Sequence, residues 1–458
     1  MNHPEAVRSA IQQMPPLSGS AALFERAKAV MPSGYTRNML VTQPHPNYGV
    51  DARGCFITDA DGRTRIDWVN NFASLIHGHN KHEVVEVIAR QASSLLSATM
   101  PSEWEIRLAE LLVARIPSVA QLRFTNSGTE ANLIAIKAAR AYSGRSKVAK
   151  LEGGYHGQYD LLEASYLPRP DQWGDRLSPT VVAHNTGTPQ SLLDELVLFP
   201  LNDIEAMREI LTRERAQVGT VIIDPSGLAL GSGVHAKHDF LEALRETTTK
   251  LDMVLIFDEV WSLRAGYGGT QSVLGIEPDL TTMGKIIGGG LPIGAVGGST
   301  EVMSVFAVDA AEPRVKHSGT FTGNPLSMAA GFVAMSLLTP PAFDELARQG
   351  QRLAEGLSCA LRDTETEGIV VNRGSMTNLL FTPEMPIDYR DFYAQQTPAR
   401  LALGRLLPRL LEDDGLHVLR NMFVGSTAMA DDQIDETIAA VGRALLQARR
   451  GEHGEIRS

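Results

Sequence analysis

Cysteine is scarce: the 458 residues hold two, Cys55 and Cys359. Two cysteines build no disulfide framework and no metal-type spacing, so no metal site is expected. A reducing, cytoplasmic setting is expected instead. Blocks of Lys or Arg are absent too. Acidic residues outnumber basic ones 53 to 42, for a net charge of −11, so neither nucleic acid nor an anionic membrane surface is an expected partner. No apolar run approaches a membrane-spanning length. The opening Met-Asn-His-Pro-Glu lacks the basic-then-apolar pattern of a signal peptide. Internal repeats and low-complexity tracts are missing as well.

What is present is a chain that is 43% apolar, enough for a large core. Its length suits a large domain with a smaller companion. Residues 20–31 have helical spacing and stop at Pro32-Ser33-Gly34, while the first 20 residues read as a loose arm. Asp59-Ala60-Asp61-Gly62 reads as a hairpin turn between short strands. Ser102 and Glu105 read as a capping box opening a helix over 103–115. From about residue 80, apolar strands (121–125, 147–151, 196–200, 219–224, 253–257, 280–283) alternate with helical patterns. That alternation predicts an α/β fold with a mainly parallel sheet covered on both faces. Gly288 to Gly298 reads as turns and close backbone approach. Beyond about residue 325, long helices and a strand–helix–strand set predict a second domain. The expected division is residues 1–75 contributing to a small domain, 76–330 forming the large one, and 331–458 completing the small one.

Five stretches carry chemistry. In Thr125 to Asn132 (TNSGTEAN), a strand enters a helix through Ser127-Gly128-Thr129. Free N–H groups and partial positive charge there suit an anion such as a phosphate; plain N-capping is the other reading. Glu152 to Asp160 (EGGYHGQYD) puts Tyr155 and His156 on a loop after a strand, at the sheet end where α/β ligands bind. A ring there can stack on a flat cofactor. In LIFDEVWSLR, Asp258 and Glu259 close an apolar strand, where a carboxylate can pair with a protonated ring nitrogen or hold a metal; an N-cap for the next helix is the other reading. Lys285 follows another strand amid Ile286, Ile287 and glycines. Burial there lowers a lysine's charge and makes it a Schiff-base nucleophile. Last, GTFTGNP, Gly319 to Pro325, is a polar turn before a helix that offers Thr320 to a phosphate.

In order and spacing these stretches resemble the class-III aminotransferases, a family of fold-type-I pyridoxal-phosphate enzymes, over roughly residues 20–445. The resemblance implies a large domain with a seven-stranded sheet and a smaller α/β domain built from both chain ends. It implies pyridoxal 5'-phosphate held by Lys285 as a Schiff base, with the freed amine then moving the substrate proton. Asp258 would keep the pyridine nitrogen protonated. Tyr155 and Val260 would cover the two ring faces, with His156 beside them. Ser127, Gly128 and Thr129 would hold the phosphate, completed by Gly319 and Thr320 of a second subunit, so that a homodimer shares its sites. There are departures. Asp224-Pro225 stands where many relatives carry Glu-Pro, and Ser226 to Gly231 lacks a glutamate that some members place there. A glutamate–arginine gate is therefore not expected.

Met31 to Met39 (MPSGYTRNM) resembles the segment supplying a carboxylate-binding arginine in β-phenylalanine aminotransferases and glutamate-1-semialdehyde aminomutases. Arg37 occupies that place. Arg420, in GLHVLRNMFV, resembles the mobile second arginine of the β-amino-acid enzymes. A guanidinium can grip a carboxylate through two parallel hydrogen bonds. Trp261 either narrows the pocket or packs in the core. The expected reaction is ping-pong transfer from a small-molecule amine donor, a β-amino acid or ω-amine, to a 2-oxo acid acceptor. An aminomutase, or a racemase or epimerase, is the alternative. A non-catalytic regulator would need a basic DNA-binding segment, and a dinucleotide enzyme a strand–GxGxxG–helix run; neither is visible.

Overall fold

The computed structural model describes residues 19–228, 233–308 and 312–451. The expected loose arm lies almost wholly outside them. The first helix, α1 (Ser20–Val30), ends at Met31 in extended backbone. A hairpin meander follows: β1 (Gly49–Arg53), β2 (Phe56–Asp59) and β3 (Thr64–Asp67). Asp59 Oδ1 accepts the N–H groups of Asp61 and Arg63, which closes the expected turn. Two helices come next, α2 (His82–Ser94) and α3 (Glu103–Arg115). The expected capping box at α3 is not formed. Ser102 makes no side-chain cap bond and its Oγ is buried without a partner. The Glu105 carboxylate lies instead against the turn at Gly323, where an added Cβ would come within 3.1 Å of it.

The central sheet comprises β4 (Gln121–Thr125), β5 (Lys147–Leu151), β6 (Leu196–Phe199), β7 (Val218–Ile223), β8 (Val254–Asp258), β9 (Leu280–Gly284) and β10 (Gly294–Gly298). Their spatial order is β4-β10-β9-β8-β7-β5-β6. Only β10 runs antiparallel to its neighbours; the other pairs are parallel. The glycine-rich run expected to form turns is thus partly this reversed strand. Its glycines fit because neighbours press close: a Cβ on Gly294 would meet the Ser127 carbonyl oxygen and Thr125 Oγ1. Between β4 and β5 runs α4 (Gly128–Ser143). Buried Val, Ile, Leu and Phe from β5 to β8 pack against helices on both faces, as near-continuous apolar strands require.

Chain beyond the sheet forms α5 (Pro325–Leu337), α6 (Pro340–Asp363), β11 (Ile369–Arg373), β12 (Met376–Leu380), α7 (Tyr389–Ala394), α8 (Pro398–Asp413), β13 (Leu416–His417), β14 (Met422–Val424) and α9 (Asp431–Arg450). Early and late segments of the chain meet. β13 pairs in parallel with β3, Leu416 opposite Ile66. Cys55, Ile66 and Trp68 share one core cluster with Leu353, Leu407 and Leu445, and Trp68 Nε1 donates to Thr437 Oγ1 at 2.8 Å. This region is richer than the strand–helix–strand set expected, because β11 and β12 form a hairpin joined by β14.

Candidate active site

The C-terminal ends of β4, β5, β7, β8 and β9 surround a cavity of about 440 Å³, within the usual range for a cofactor or substrate pocket. Ser127, Gly128, Thr129, Tyr155, His156, Asp258, Val260 and Lys285 all line it. Four of the five chemistry-bearing stretches thus converge because the parallel strands all end on one side.

Asp258 is buried at the tip of β8. His156 Nδ1 and Asn132 Nδ2 each lie 2.8 Å from its Oδ2, and the Val260 N–H reaches Oδ1 at 3.1 Å. Thr282, opposite Asp258 in the β8–β9 register, lies 3.3 Å from Oδ1 and donates to Asn132 Oδ1 at 2.5 Å. Burial alone would raise the carboxyl, but the donors from His156, Asn132 and Val260 hold it below its ordinary value. Burial pushes His156 the other way, toward neutrality, against the pull of Asp258. A neutral His156 beside an anionic carboxylate donates from Nδ1, so its Nε2 is an acceptor. That Nε2 is buried without a partner.

Lys285 opens the turn after β9 with φ +48°. Among the described residues its Nζ has no hydrogen-bond or ion-pair partner, and it sits 5.4 Å from the Trp261 ring centroid. Burial lowers its pKa, opposed by the negative charges of Asp258 and Asp224. Asp224 also lines the cavity, and its Oδ1 accepts the Ser226 N–H and hydroxyl at 2.8 and 2.7 Å. Burial, then the charge of Asp258, pushes it up to about 6. Trp261 lines the cavity and packs with Ala73, Met376 and Met422.

At the start of α4 the N-capping reading of Ser127 is what the structure contains: its Oγ accepts the Glu130 N–H at 3.1 Å. The Glu130 carboxylate accepts the Asn126 N–H at 2.9 Å. The helix leaves the N–H groups of Gly128 and Thr129 unused on the cavity side. Close packing requires glycine here, since a Cβ at 128 would lie 2.6 Å from Val260 Cγ1. An unpartnered lysine, an anionic carboxylate across the cavity, a ring beside it and a helix start with spare donors match the donor set that pyridoxal phosphate needs.

Four expected contributors stand elsewhere. Gly319 and Thr320 are exposed and do not line this cavity. Their turn leads into α5, where Asn324 caps Leu326 and Ser327 with Pro325 at the first helical position. Arg37 is exposed over the Phe72 ring, 5.7 Å from its centroid, and does not line the cavity either. Phe72 belongs to a left-handed turn, with Asn70, Asn71, Phe72 and Ala73 all at positive φ; Asn71 and Ser74 reach the cavity. Arg420 is also off the lining, but its Nη1 donates to the hydroxyl of Tyr166, which is on it.

Several site residues were not singled out in the sequence. Asn132 had a usable signal: one helical turn beyond Gly128, it shares that face. Lys150, wholly buried on β5, donates to the carbonyls of Gly154, Leu162 and Ala164 at 2.7, 2.8 and 2.7 Å. It thereby ties down the loop carrying Tyr155 and His156. Nothing local marked it apart from Lys147 on the same strand.

The class-III aminotransferase family model matches residues 41–406. Glutamate-1-semialdehyde 2,1-aminomutase 2 of Geobacillus kaustophilus is 36% identical over 437 residues, covering 94% of this chain and 98% of that protein. The crystal structure of an omega-transaminase from Sphaerobacter thermophilus is 44% identical, with a TM-score of 0.91 over 95% of this chain and 98% of that one. A β-phenylalanine aminotransferase from Variovorax paradoxus is 32% identical, with a TM-score of 0.83 and 94% of each chain covered. The chain belongs to the class-III aminotransferase family of pyridoxal-phosphate-dependent enzymes.

Proposed function

We propose that this enzyme moves an amino group from a β-amino acid or ω-amine to a 2-oxo acid such as pyruvate or 2-oxoglutarate, in two half-reactions at one site. The observation that carries the reading is the uncommitted amine of Lys285, its charge weakened by burial, facing the same cavity as Asp258. Pyridoxal phosphate, when bound, supplies an electrophilic carbon and a protonated ring that takes up electrons from the substrate. Lys285 would hold that carbon, and its amine would take and return the substrate proton through Nζ. Asp258 keeps the ring proton in place, and His156, Asn132 and Thr282 keep Asp258 oriented and anionic. Tyr155 and Val260 cover the ring faces, while Ser127, Gly128 and Thr129 receive the phosphate. Gly319 and Thr320 complete that end from a second copy of the chain, which accounts for their exposure away from their own cavity. Arg420, and Arg37 over Phe72, receive the substrate carboxylate.

The relatives named glutamate-1-semialdehyde aminomutases support a second reading, in which the amino group returns to a neighbouring carbon of the same molecule. Adding β-phenylalanine without an oxo acid separates the two. In the first reading the visible band of the lysine-bound cofactor disappears and returns with pyruvate or 2-oxoglutarate. A band that ignores β-phenylalanine removes the β-amino-acid donor. Lys285→Ala should abolish covalent attachment and turnover; an unchanged rate would overturn the assignment of Lys285.

A further inference from the structure

We infer that Tyr166 is a specificity-determining residue that holds Arg420 at the cavity rim for a substrate carboxylate. This rests on the reading of Arg420 as the carboxylate receiver. Tyr166 lines the cavity, and its ring lies 5.0 Å from that of Tyr155 and 5.4 Å from that of His184. Its hydroxyl accepts a hydrogen bond from Arg420 Nη1 at 3.1 Å. Arg420 is exposed and does not line the cavity itself. Tyr166 is therefore a direct link between that guanidinium and the pocket.

The backbone on both sides of this bond is strained. Ser165 and Leu167, flanking Tyr166, have φ of +53° and +49°, and Arg420 and Asn421 have +52° and +57°. Left-handed backbone disfavours side-chain-bearing residues, and two such positions in a tight turn ordinarily call for Asn-Gly. Here the second position of the turn, closed by the Met422 N–H on the Leu419 carbonyl, is asparagine, and the first is arginine. The surroundings hold both strained segments. The Ser165 N–H bonds the Val182 carbonyl, and Ser165 Oγ accepts the Val182 N–H. Asn421 Nδ2 donates to the Gly404 carbonyl at 3.0 Å. Strain held on either side of Tyr166 and at Arg420, at the two ends of one hydrogen bond, marks a geometry worth holding.

The chemistry follows from donor counts. A guanidinium has five N–H donors. The Tyr166 oxygen takes one of the five, and the anchored side chain loses less rotamer freedom when the substrate arrives. An amine without a carboxylate gains nothing from this arrangement.

The test uses the cofactor-loaded enzyme turning over 1-phenylethylamine, with 3-phenylpropanoate as a carboxylate-bearing, amine-free inhibitor. Tyr166→Phe removes the acceptor and keeps the ring. The inhibition constant of 3-phenylpropanoate, divided by the KM of the amine, should rise about tenfold, the low end for a hydrogen bond to a charged group. Arg420→Ala should raise the same ratio at least as far, and the double variant no further than Arg420→Ala alone. A ratio unmoved by Tyr166→Phe but raised by Arg420→Ala overturns the role of Tyr166 and leaves the carboxylate reading standing. A ratio unmoved by either variant, or a wild-type enzyme that ignores 3-phenylpropanoate, overturns both. Equal losses for amine and inhibitor in Tyr166→Phe mean a merely structural tyrosine and also overturn the inference.

Discussion

Gly128→Ala probes how tightly the proposed phosphate end of the site is built. A Cβ there would sit 2.6 Å from Val260 Cγ1, 2.8 Å from Cγ2 and 3.3 Å from Cβ. Valine is stiff at χ1, and turning its methyls away still leaves the Cβ contact tight. So either Val260 moves into the cavity, where it is proposed to pack on the cofactor ring, or the first turn of α4 moves out and carries the N–H groups of Gly128 and Thr129 with it. Overpacking of this kind costs about 1–3 kcal/mol. If all of it falls on cofactor binding, the dissociation constant rises by about fivefold to about a hundredfold, since about 1.4 kcal/mol is tenfold. The assay is titration of the stripped protein with pyridoxal phosphate, followed by the visible band of the lysine-bound cofactor. Val260→Ala removes both methyls at its own cost in ring packing, so Gly128→Ala should lose less affinity in that background than in wild type. Wild-type affinity in Gly128→Ala, or an equal loss in both backgrounds, would refute the packing argument.

Asp224 gives a pH dependence with a definite sign. Its folded pKa is about 6 against an ordinary 3.8, so between those values the folded protein binds more protons than the unfolded one. Its contribution to stability is full below the lower value and is lost as pH rises through about 6, by at most about 3 kcal/mol, less where cavity water screens the carboxylate. Denaturant titrations of wild type and Asp224→Asn across that window should converge at low pH and separate above it; parallel curves would dismiss the shift. Arg390 donates to both oxygens of buried Glu152 at 2.7 and 2.9 Å. Arg390→Met should destabilise by about 3–5 kcal/mol by stranding that carboxylate, with Glu152→Gln in the same chain restoring part of it. Thermal melts of the two singles and the double measure this, and simple additivity would count against the pairing.

What was legible in the sequence was whatever local chemistry dictates. Lys285 and Asp258 stood out because a charged residue ending an apolar strand needs a reason. The strands of the central sheet showed as apolar runs, except β10. Glycines carry no side chains to reveal a strand, and the demand for them comes from Ser127 and Thr125, more than 160 residues earlier. Ser102 and Glu105 satisfied a capping pattern, but the turn at Gly323 lies against that carboxylate. Tyr166 lacked any local mark, because its partner Arg420 and the contacts that strain its neighbours are far along the chain. For Arg37, Gly319 and Thr320 the sequence resemblance points to roles that their own chain's cavity does not display.

The buried charges around the central sheet explain why the site's own charges remain available. Lys150 is satisfied by three carbonyls. Glu259 is satisfied by the Thr270 and Gln271 N–H groups and the Gln271 amide. Arg264 is satisfied by Ser375 and the Ala73 and Gly425 carbonyls. Each is wholly or almost wholly buried, and each of these bonds is made with a neutral group. Burial still pushes them toward neutrality, Lys150 down to about 7, Glu259 up to about 7 and Arg264 down to about 9. Had Lys150 or Arg264 been paired to Asp258 or Asp224, the carboxylate facing Lys285 would have been spent on the scaffold. Because backbone and amide groups hold them, the field across the cavity is set by Asp258 and, as pH rises, by Asp224. The lysine amine is left as the one cationic group lining the cavity among the described residues.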